Sequence, residues 1–360
     1  MKQSFFLILV LIYGCFKFYG QCNGMATLCN KKYDEVAYLT THNAFNSDED
    51  NFLYPNQNLN ITSQLNDGVR ALMIDVYDVA GTPTVYHGSS FLGSAPFSSF
   101  LIDIKTFLDT NPNEIVTIIL ECYTTANQIE IDINFSGLSN YLYTHTSPNW
   151  PTLQNMIDNG TRLVVFSDMN DANPTQEWYH YIWNHAVETH FTTNSLSDFN
   201  CNFNRGDSSN DLFILNHFVT DSNLGIGLES EAITANTNPF FINRVIQCYE
   251  EKAKFPNFIT IDFYDKGDGF QVVNQLNMLP ALNIDEHYYS KLSLWPNPSS
   301  NFVHVSGLKK NIEYKIYNTL NIQINEGIIS DNERIDIQKL ASGIYFLKFE
   351  KGNTLKFIKE

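Results

Sequence analysis

The sequence predicts an α/β fold, namely a TIM-type β/α barrel that need not be regular, followed by a small all-β sandwich domain. Between residues 21 and 285, apolar β-branched runs alternate with helix-like patterns, giving seven or eight β/α units in about 265 residues. After residue 292 only short runs of period two follow, as is typical of a small sandwich. The 360 residues, 43% hydrophobic and 17% charged, are enough for one large domain and one small one.

The first twenty residues are built like a secretory signal peptide, with a lysine, the apolar run "SFFLILVLIYG" and a small residue before Gln21. The run is short for a membrane span and no second candidate follows, so we expect a soluble, exported chain. A lipoprotein anchored at Cys22 is the alternative, although "YGQC" lacks the usual small residue before the cysteine. We therefore predict a signal peptide at 1–20, a barrel at 21–285, a linker at 286–292 and a sandwich at 293–360.

Export permits disulfides. Cys22 and Cys29 are close enough to close a small surface loop, and Cys201 could pair with Cys248 across the fold. Cys122 would then be a buried free thiol, although sequence alone does not fix the pairing. No Cys/His spacing is typical of a zinc site.

The net charge of −17 is unevenly distributed, because residues 21–290 carry 10 basic against 32 acidic residues. Such a surface repels nucleic acid and anionic bilayers. Lipid contact would therefore come from apolar or aromatic side chains, or through cations. The simpler interpretation of this charge is solubility outside the cell.

Seven runs are candidate barrel strands because they are apolar and β-branched on both faces, as buried parallel strands are. In chain order they are "VAYLT" (36–40), "VRALMID" (69–75), "TVYHG" (84–88), "IVTIILE" (115–121), "RLVVFSD" (162–168), "LFILNHF" (212–218) and "FITIDFY" (258–264). One helix between them, "FSSFLIDIKTFLDTNPNE", places Phe100, Ile104, Phe107 and Leu108 on one face and stops at a proline.

Each candidate strand ends in a polar residue. In a parallel barrel these carboxyl ends meet on one face, where such folds keep their active sites. A single histidine there is more often a hydrogen-bonded rim residue, but several such endings favour a site. The residues are His42 with Asn43, Asp75, His87, Glu121, Asp168, His217 and Asp262.

The motifs "TTHNAF", "QLNDGVRALMIDVYD", "TVYHG" and "NPNEIVTIILE" resemble, in order and spacing, the X-type catalytic domain of phosphatidylinositol-specific phospholipase C. The resemblance covers most of 36–265 and looks closest to secreted microbial members. It implies attack of the inositol 2-hydroxyl on phosphorus, giving diacylglycerol and a cyclic 1,2-phosphate. By resemblance, His42 is the general base and His87 the general acid. Asp262 would orient His42, although a strand-end aspartate can equally cap a following helix.

The resemblance leaves the source of positive charge on the phosphate open. The calcium-dependent type uses an Asn after the base histidine, a Glu-x-Asp pair and a further Glu. Asn43, Asp75 and Glu121 match, but Met73 stands where the first carboxylate of the pair belongs. The metal-independent type has an arginine where Tyr77 stands. We favour a Ca²⁺-assisted site with three protein oxygen ligands, while structural roles for Asp75 and Glu121 remain the alternative.

The roles of four other charged or titratable residues are inferred from the end of the strand at which each one lies. Arg70 and Arg162 precede their strands, so we interpret them as structural ion-pair members rather than phosphate ligands. Asp168 and His217 follow theirs, so they are expected to bind substrate in the pocket. The rim segments 51–55 and 89–97 would touch lipid or pack as lids.

The tail resembles the C-terminal sorting domain of the type IX secretion system of Bacteroidetes, through "LWPNPSSNFVHV", "IDIQKLASGIYFLKF" and "TLKFIKE". That implies recognition by the type IX machinery, export across the outer membrane, then release or surface attachment, with the signal peptide and tail removed. The alternative is a carbohydrate-binding or adhesive sandwich.

The expected function is that of a secreted phosphodiesterase acting on phosphoinositide or glycosyl-phosphatidylinositol lipids at a membrane surface. A glycerophosphodiester phosphodiesterase on the same barrel is one alternative, but its His-Arg-Gly and Glu-x-Asp motifs are replaced here by T-H-N and M-x-D. The other alternative is a catalytically inactive barrel that binds surface lipid or glycan, and Met73 and Tyr77 are the residues that favour it.

Overall fold

A computed structural model describes residues 21–279 except 174 and 222–224, and residues 292–360 except 309–310, 319–321 and 350–353. The chain forms two compact units, Met1–Leu279 and Pro280–Glu360. The predicted signal peptide and nearly all of the predicted linker lie outside the described residues. No helix within those ranges is long and apolar enough to cross a membrane.

The first unit is built on one curled sheet. Its strands are β1 Tyr38–Thr41, β2 Ala71–Val79, β3 Thr82–Val85, β4 Ala95–Pro96, β5 Val116–Tyr123, β6 Leu163–Ser167, β7 Tyr179–Tyr181, β8 Ala186–Thr189, β9 Phe203–Gly206, β10 Leu212–Asn216 and β11 Phe258–Ile261. Along the sheet the order is β7-β6-β5-β2-β1-β11-β10-β8-β9, and the first eight strands are mutually parallel. Within the described residues β7 does not pair with β9, so the sheet is an open, irregular form of the predicted barrel.

The helices are α1 Ile61–Asp67, α2 Phe97–Thr110, α3 Ala126–Ser136, α4 Leu153–Asp158, α5 Glu229–Ala235, α6 Phe240–Lys252 and α7 Gly269–Met278. Helix α4 packs Leu153 and Met156 into the interior cluster of the barrel, whereas α1, α2, α3, α6 and α7 pack on the outer face of the sheet. Helix α2 buries the face predicted from its pattern, including Phe100, Ile104, Phe107 and Leu108. Helix α3 begins with a capping box between Thr125 and Gln128.

The predicted direction of one barrel strand is wrong. Residues 82–85 form β3, which runs antiparallel to β2 with Val76 opposite Val85. A two-residue turn joins them, in which Ala80 and Gly81 both have positive φ (52° and 85°). Such a turn matches the twist of a hairpin, so β2 folds back on itself before any crossover can form. His87 therefore follows a hairpin strand and not the carboxyl end of a parallel one.

The second unit contains two antiparallel sheets. Its strands are β12 Ser293–Trp295, β13 Phe302–Ser306, β14 Ile312–Asn318, β15 Gln323–Ile329, β16 Arg334–Asp336, β17 Gly343–Phe349 and β18 Thr354–Lys359. The sheet orders are β12-β13-β16 and β15-β14-β17-β18. Both sheets contribute to one core, which includes Val303 and Ile335 from the first and Ile316, Leu347 and Phe357 from the second. The predicted all-β domain is confirmed.

The cysteine pairs considered from sequence both form: Cys22 bonds to Cys29, and Cys201 bonds to Cys248. Cys122 is a buried free thiol.

The prediction that the two strand-start arginines are structural ion-pair members is confirmed for Arg70 and wrong for Arg162 in the kind of partner. Arg70 Nε donates to Glu114 Oε2 at 2.7 Å. Arg162 binds backbone carbonyl oxygens, among them that of Leu108 at 2.9 Å, rather than a carboxylate.

Candidate active site

The period-two alternation of the barrel strands carries polar side chains into the mouth of the barrel. Along β2, Leu72 and Ile74 belong to the apolar layer beneath the helices, whereas Ala71 and Met73 belong to the interior cluster. Asp75 continues that inward row at the end of the strand. Glu121 lies beside it because the two residues are register partners on β2 and β5.

A cleft that is partly open to solvent lies at this end of the barrel. Five residues predicted from strand ends line it, namely His42, Asn43, Asp75, Glu121 and Asp168. Further residues on its wall include Met73, Trp183, Glu188, Phe191, Arg205, Asn216 and Phe218.

His42 is held in one orientation. Its Nδ1 lies 2.9 Å from Oδ1 of Asp262, whose side chain is 1% exposed. The ring stacks on Phe218 with centroids 3.9 Å apart and planes 7° from parallel. Because Nδ1 faces the carboxylate, Nε2 is the nitrogen left to exchange a proton with a ligand. The structure thus brings together the predicted base and its orienting carboxylate.

Sequence reasoning missed Asn56, which extends this pair. Its Nδ2 donates to Asp262 Oδ1 at 3.1 Å. Its Oδ1 accepts from Nδ2 of Asn43 at 3.2 Å and from Nδ2 of Asn46 at 2.7 Å. Asn56 lies in a loop between β1 and α1, and nothing in the pattern of apolar residues marks it.

His87 lies near this pair, although it is not among the residues that line the cleft. Burial lowers the pKa of His87, and the positive charge of His42 lowers it further. The negative charges of Asp262 and Glu121 act in the opposite direction on that pKa. The predicted base and acid are therefore within electrostatic range of each other.

The acidic side chains of the cleft repel one another. Burial raises the pKa of Asp75 well above its usual value, and the charges of Glu121 and Asp168 raise it further. Burial also raises the pKa of Asp168, against the hydrogen bond that its Oδ1 accepts from the Cys122 N–H at 2.9 Å. Tyr123 donates its hydroxyl to Glu121.

The oxygen donors of Asn43, Asp75 and Glu121 suit a hard cation such as Ca²⁺, which would also relieve the repulsion that acts on Asp75. In the described part of the chain, no group of three His, Cys, Asp or Glu side chains is placed to hold a metal ion. A cation here would therefore depend on the Asn43 amide, on water and on the phosphate of a substrate. Met73, at the position of the missing carboxylate, packs against the interior core instead.

Arg205 is the second residue that sequence reasoning missed. Its guanidinium lies over the rings of Trp183 and Phe191, 4.5 and 4.6 Å from their centroids. Its Nε donates to Glu188 Oε1 at 2.5 Å. It is the one Lys or Arg among the described residues that line the cleft.

The place of Arg205 in the chain explains why it was missed. It lies on β9, which is antiparallel to β8, so it does not follow a parallel strand. A Cβ on the next residue, Gly206, would overlap the carbonyl oxygen of Ala186, and Gly206 has a φ of +83°. Gly206 is thus required for the close approach of β9 to β8, and a glycine directly after Arg205 is the only local signal.

The predicted substrate-binding role of His217 is corrected. Its side chain is fully buried between Phe199 and Phe241, with ring centroids 4.8 and 4.2 Å away. Nε2 contacts the Ala235 carbonyl oxygen at 2.9 Å, and Nδ1 accepts from Arg244 Nη1 at 3.3 Å. Both nitrogens are therefore used inside the protein, and burial holds the pKa of His217 well below its usual value.

Tyr77 stands where the metal-independent type of site has an arginine, and its ring is part of a stack. It lies 3.9 Å from the Tyr86 ring and 4.4 Å from the Tyr123 ring, with planes 14° and 4° from parallel. The positive charge of the cleft comes instead from Arg205 on β9, which is the last strand in the sheet order.

Comparisons with known proteins agree with this architecture. The profile of the family PI-PLC X 1 matches residues 28–277, and that of the secretion system C-terminal sorting domain matches residues 293–360. A PI-PLC X domain-containing protein of Arabidopsis thaliana is 28% identical over 287 residues, 72% of this chain and 66% of that protein. PI-PLC X domain-containing protein 1 of Arthroderma benhamiae is 27% identical over 279 residues, which cover 72% of this chain and 90% of that protein.

Among solved structures, the phosphatidylinositol-specific phospholipase C of Staphylococcus aureus is similar with a TM-score of 0.50 at 16% identity. The similarity covers 70% of this chain and 95% of that one. A mutant of the same enzyme gives a TM-score of 0.50 at 15% identity. At such identities the similarity establishes the fold.

The sorting domain directs the protein to secretion or to the cell surface. A further relative, 27% identical over 297 residues, is named an uncharacterized secreted protein of Arthroderma benhamiae. The chain spans about two thirds of the plant relative and of this second fungal one. Because the family profile covers most of the chain, the protein belongs to the PI-PLC X domain family and carries a secretion-system sorting domain at its carboxyl end.

Proposed function

We propose that the protein is an exported phosphodiesterase of the phosphatidylinositol-specific phospholipase C type. The observation that carries the proposal is the 2.9 Å contact of His42 Nδ1 with the buried Asp262 carboxylate. It leaves Nε2 of His42 available to act as a base at a cleft that also holds acidic and amide oxygens.

The reaction requires two proton transfers. The inositol 2-hydroxyl oxygen forms a bond to phosphorus as its proton passes to His42 Nε2. The bond from phosphorus to the glycerol oxygen breaks, and His87 gives its proton to that oxygen. The products are diacylglycerol and inositol 1,2-cyclic phosphate. Asp262 stabilises the imidazolium that forms on His42.

Positive charge is needed at the phosphate. Asn43, Asp75 and Glu121 would hold Ca²⁺, which supplies that charge when bound. Arg205 supplies a second, protein-borne charge, and its contacts with two aromatic rings limit the motion of the guanidinium.

The cleft also favours one class of headgroup. Four carboxylates line it, those of Asp75, Glu121, Asp168 and Glu188, against the single arginine Arg205. Carboxylates accept hydrogen bonds from the hydroxyl groups of a sugar alcohol, but they repel additional phosphate groups. The favoured substrates are phosphatidylinositol and glycosyl-phosphatidylinositol, without further phosphates on the inositol ring.

The test is turnover of phosphatidylinositol in mixed micelles by the full chain, followed as water-soluble inositol phosphate with added Ca²⁺ and with EDTA. Release should require Ca²⁺ and should be lost in His42→Ala. His304→Ala, in the second unit, is the matched histidine control and should keep full activity. Release in EDTA would refute the Ca²⁺ assignment, and no release from the folded wild-type protein would refute the proposed activity.

A further inference from the structure

Asn56 joins the two halves of the candidate site. One half is the His42–Asp262 pair, and the other is Asn43, which lines the cleft. Asn56 reaches Asp262 with its nitrogen and Asn43 with its oxygen, at 3.1 and 3.2 Å. It does not itself line the cleft.

The donors and acceptors of this network determine how each amide is turned. An ionised carboxylate only accepts hydrogen bonds, so Asp262 requires Asn56 to present its Nδ2. The Oδ1 of Asn56 must then point the other way, where it accepts from Asn43 and Asn46. Asn43 consequently uses its nitrogen for Asn56, and its oxygen remains to face the cleft.

Burial makes this arrangement obligatory. The side chains of Asn43, Asn46, Asn56 and Asp262 are all buried, so water cannot replace a lost partner at low cost. Gly227 covers the contact, because a Cβ there would lie 2.7 Å from Asp262 Oδ2 and 2.9 Å from Asn56 Nδ2. A buried amide that loses its partner must turn or leave a polar atom unpaired.

We propose that Asn56 is a positioning residue with two effects, which rest on the function proposed above. Through Asp262 it fixes the orientation of His42, and through Asn43 it presents an amide oxygen to a hard cation. A nitrogen turned toward the cleft would offer N–H groups to that cation, which repel it. Groups that orient metal ligands typically change metal affinity or activity about 10- to 100-fold when removed.

The test compares the full-length wild-type protein with Asn56→Ala and with Asn46→Ala. Asn46 is the matched control, because its side chain donates to Asn56 and to the Tyr54 carbonyl, and its one bond to Asn43 joins backbone atoms that alanine keeps. Calorimetric titration with Ca²⁺ in the absence of lipid measures the cation effect. Turnover of phosphatidylinositol at saturating Ca²⁺ measures the effect on His42.

For Asn56→Ala we expect Ca²⁺ affinity to fall about 10-fold or more and kcat to fall by a similar factor with KM for lipid unchanged. For Asn46→Ala we expect less than about a threefold change in either. The double variant Asn43→Ala, Asn56→Ala should bind Ca²⁺ no more weakly than Asn43→Ala alone, because Asn56 acts on the cation through Asn43. Additive losses in the double variant would overturn that route.

Several results would overturn the inference. Equal effects of Asn46→Ala and Asn56→Ala would reduce Asn56 to a packing role. An unchanged Ca²⁺ affinity in Asn56→Ala, or no Ca²⁺ binding by the wild-type protein, would remove the effect through Asn43. If Asn56→Ala does not fold, Asn56→Leu keeps the side-chain volume without the amide and is held to the same expectations.

The two readouts also separate this inference from the proposed activity. Wild-type protein that binds Ca²⁺ but releases no inositol phosphate would refute the proposed activity, and the Ca²⁺ titrations would still decide the effect through Asn43. Wild-type protein that turns over lipid while Asn56→Ala keeps wild-type kcat would refute the effect through Asp262 and leave the proposed activity standing.

Discussion

Replacing Arg205 by glutamine should lower kcat/KM for phosphatidylinositol strongly. The guanidinium has five N–H donors, and the bond to Glu188 uses the one on Nε. The four donors on the terminal nitrogens are then available to the phosphate or to inositol hydroxyls. A hydrogen bond that involves a charged group contributes about 1.5–3 kcal/mol, so the loss of one corresponds to roughly 10- to 150-fold in kcat/KM.

The same substitution leaves Glu188 without its cation. The Glu188 side chain is 3% exposed, and that of Arg205 is 41% exposed. Because solvent screens the exposed partner, we expect a modest destabilisation of about 1–2 kcal/mol rather than the full cost of a buried unpaired charge. Chemical unfolding of the variant measures this loss independently of activity.

A second substitution separates the two effects. Adding Glu188→Gln to Arg205→Gln removes the unpaired carboxylate, so the free energy of unfolding should return toward the wild-type value. Activity should remain low, because the headgroup still lacks its cationic contact. Recovery of kcat/KM in the double variant would refute the reasoning, since it would mean that Arg205 serves only to neutralise Glu188.

Three further predictions concern pH and the disulfides. Because the pKa of His87 is lowered and the acid must be protonated, kcat/KM should decline toward alkaline pH with a midpoint below about 6.5, and a midpoint above about 7.5 would argue against His87. Burial lowers the pKa of His180 to about 4, so its contribution to stability is present above pH 6.5 and is lost as the pH falls toward 4. Between pH 7 and pH 4.5, the free energy of unfolding in urea should fall by about 2 kcal/mol less in His180→Gln than in the wild-type protein. An equal fall in both proteins would contradict this. The Cys201–Cys248 bond spans 47 residues and the Cys22–Cys29 bond spans 7. In chemical unfolding, replacing the first pair by serine should lower the free energy of unfolding by about 4 kcal/mol, and replacing the second pair should lower it by about 2 kcal/mol. The reverse order would contradict the loop-entropy argument.

Much of the barrel follows from local pattern. The apolar runs near β1, β2, β5, β6, β10 and β11 predict those strands to within a few residues, because buried parallel strands have to be apolar on both faces. The polar residue at the end of such a strand then lies at the mouth of the barrel. That argument alone predicts the placement of His42, Asp75, Glu121 and Asp168.

The remaining features depend on pairing that a pattern does not contain. The strand before His87 turned out to be half of a hairpin, and β9 is an antiparallel edge strand that brings in Arg205. Asn56 lies in a loop and is recognisable only from its three partners. His217 obeys the strand-end rule yet is enclosed by Phe199 and Phe241, because α6 covers that position.

The measurement that tests the central claim most directly is the identity of the first product, followed by ³¹P NMR as the wild-type protein acts on phosphatidylinositol. Attack by the inositol 2-hydroxyl with His42 as base predicts that inositol 1,2-cyclic phosphate accumulates first, and that His42→Ala and His87→Ala each abolish it. An acyclic inositol phosphate as the first product, or cyclic phosphate formed at the wild-type rate by His42→Ala, would contradict the account.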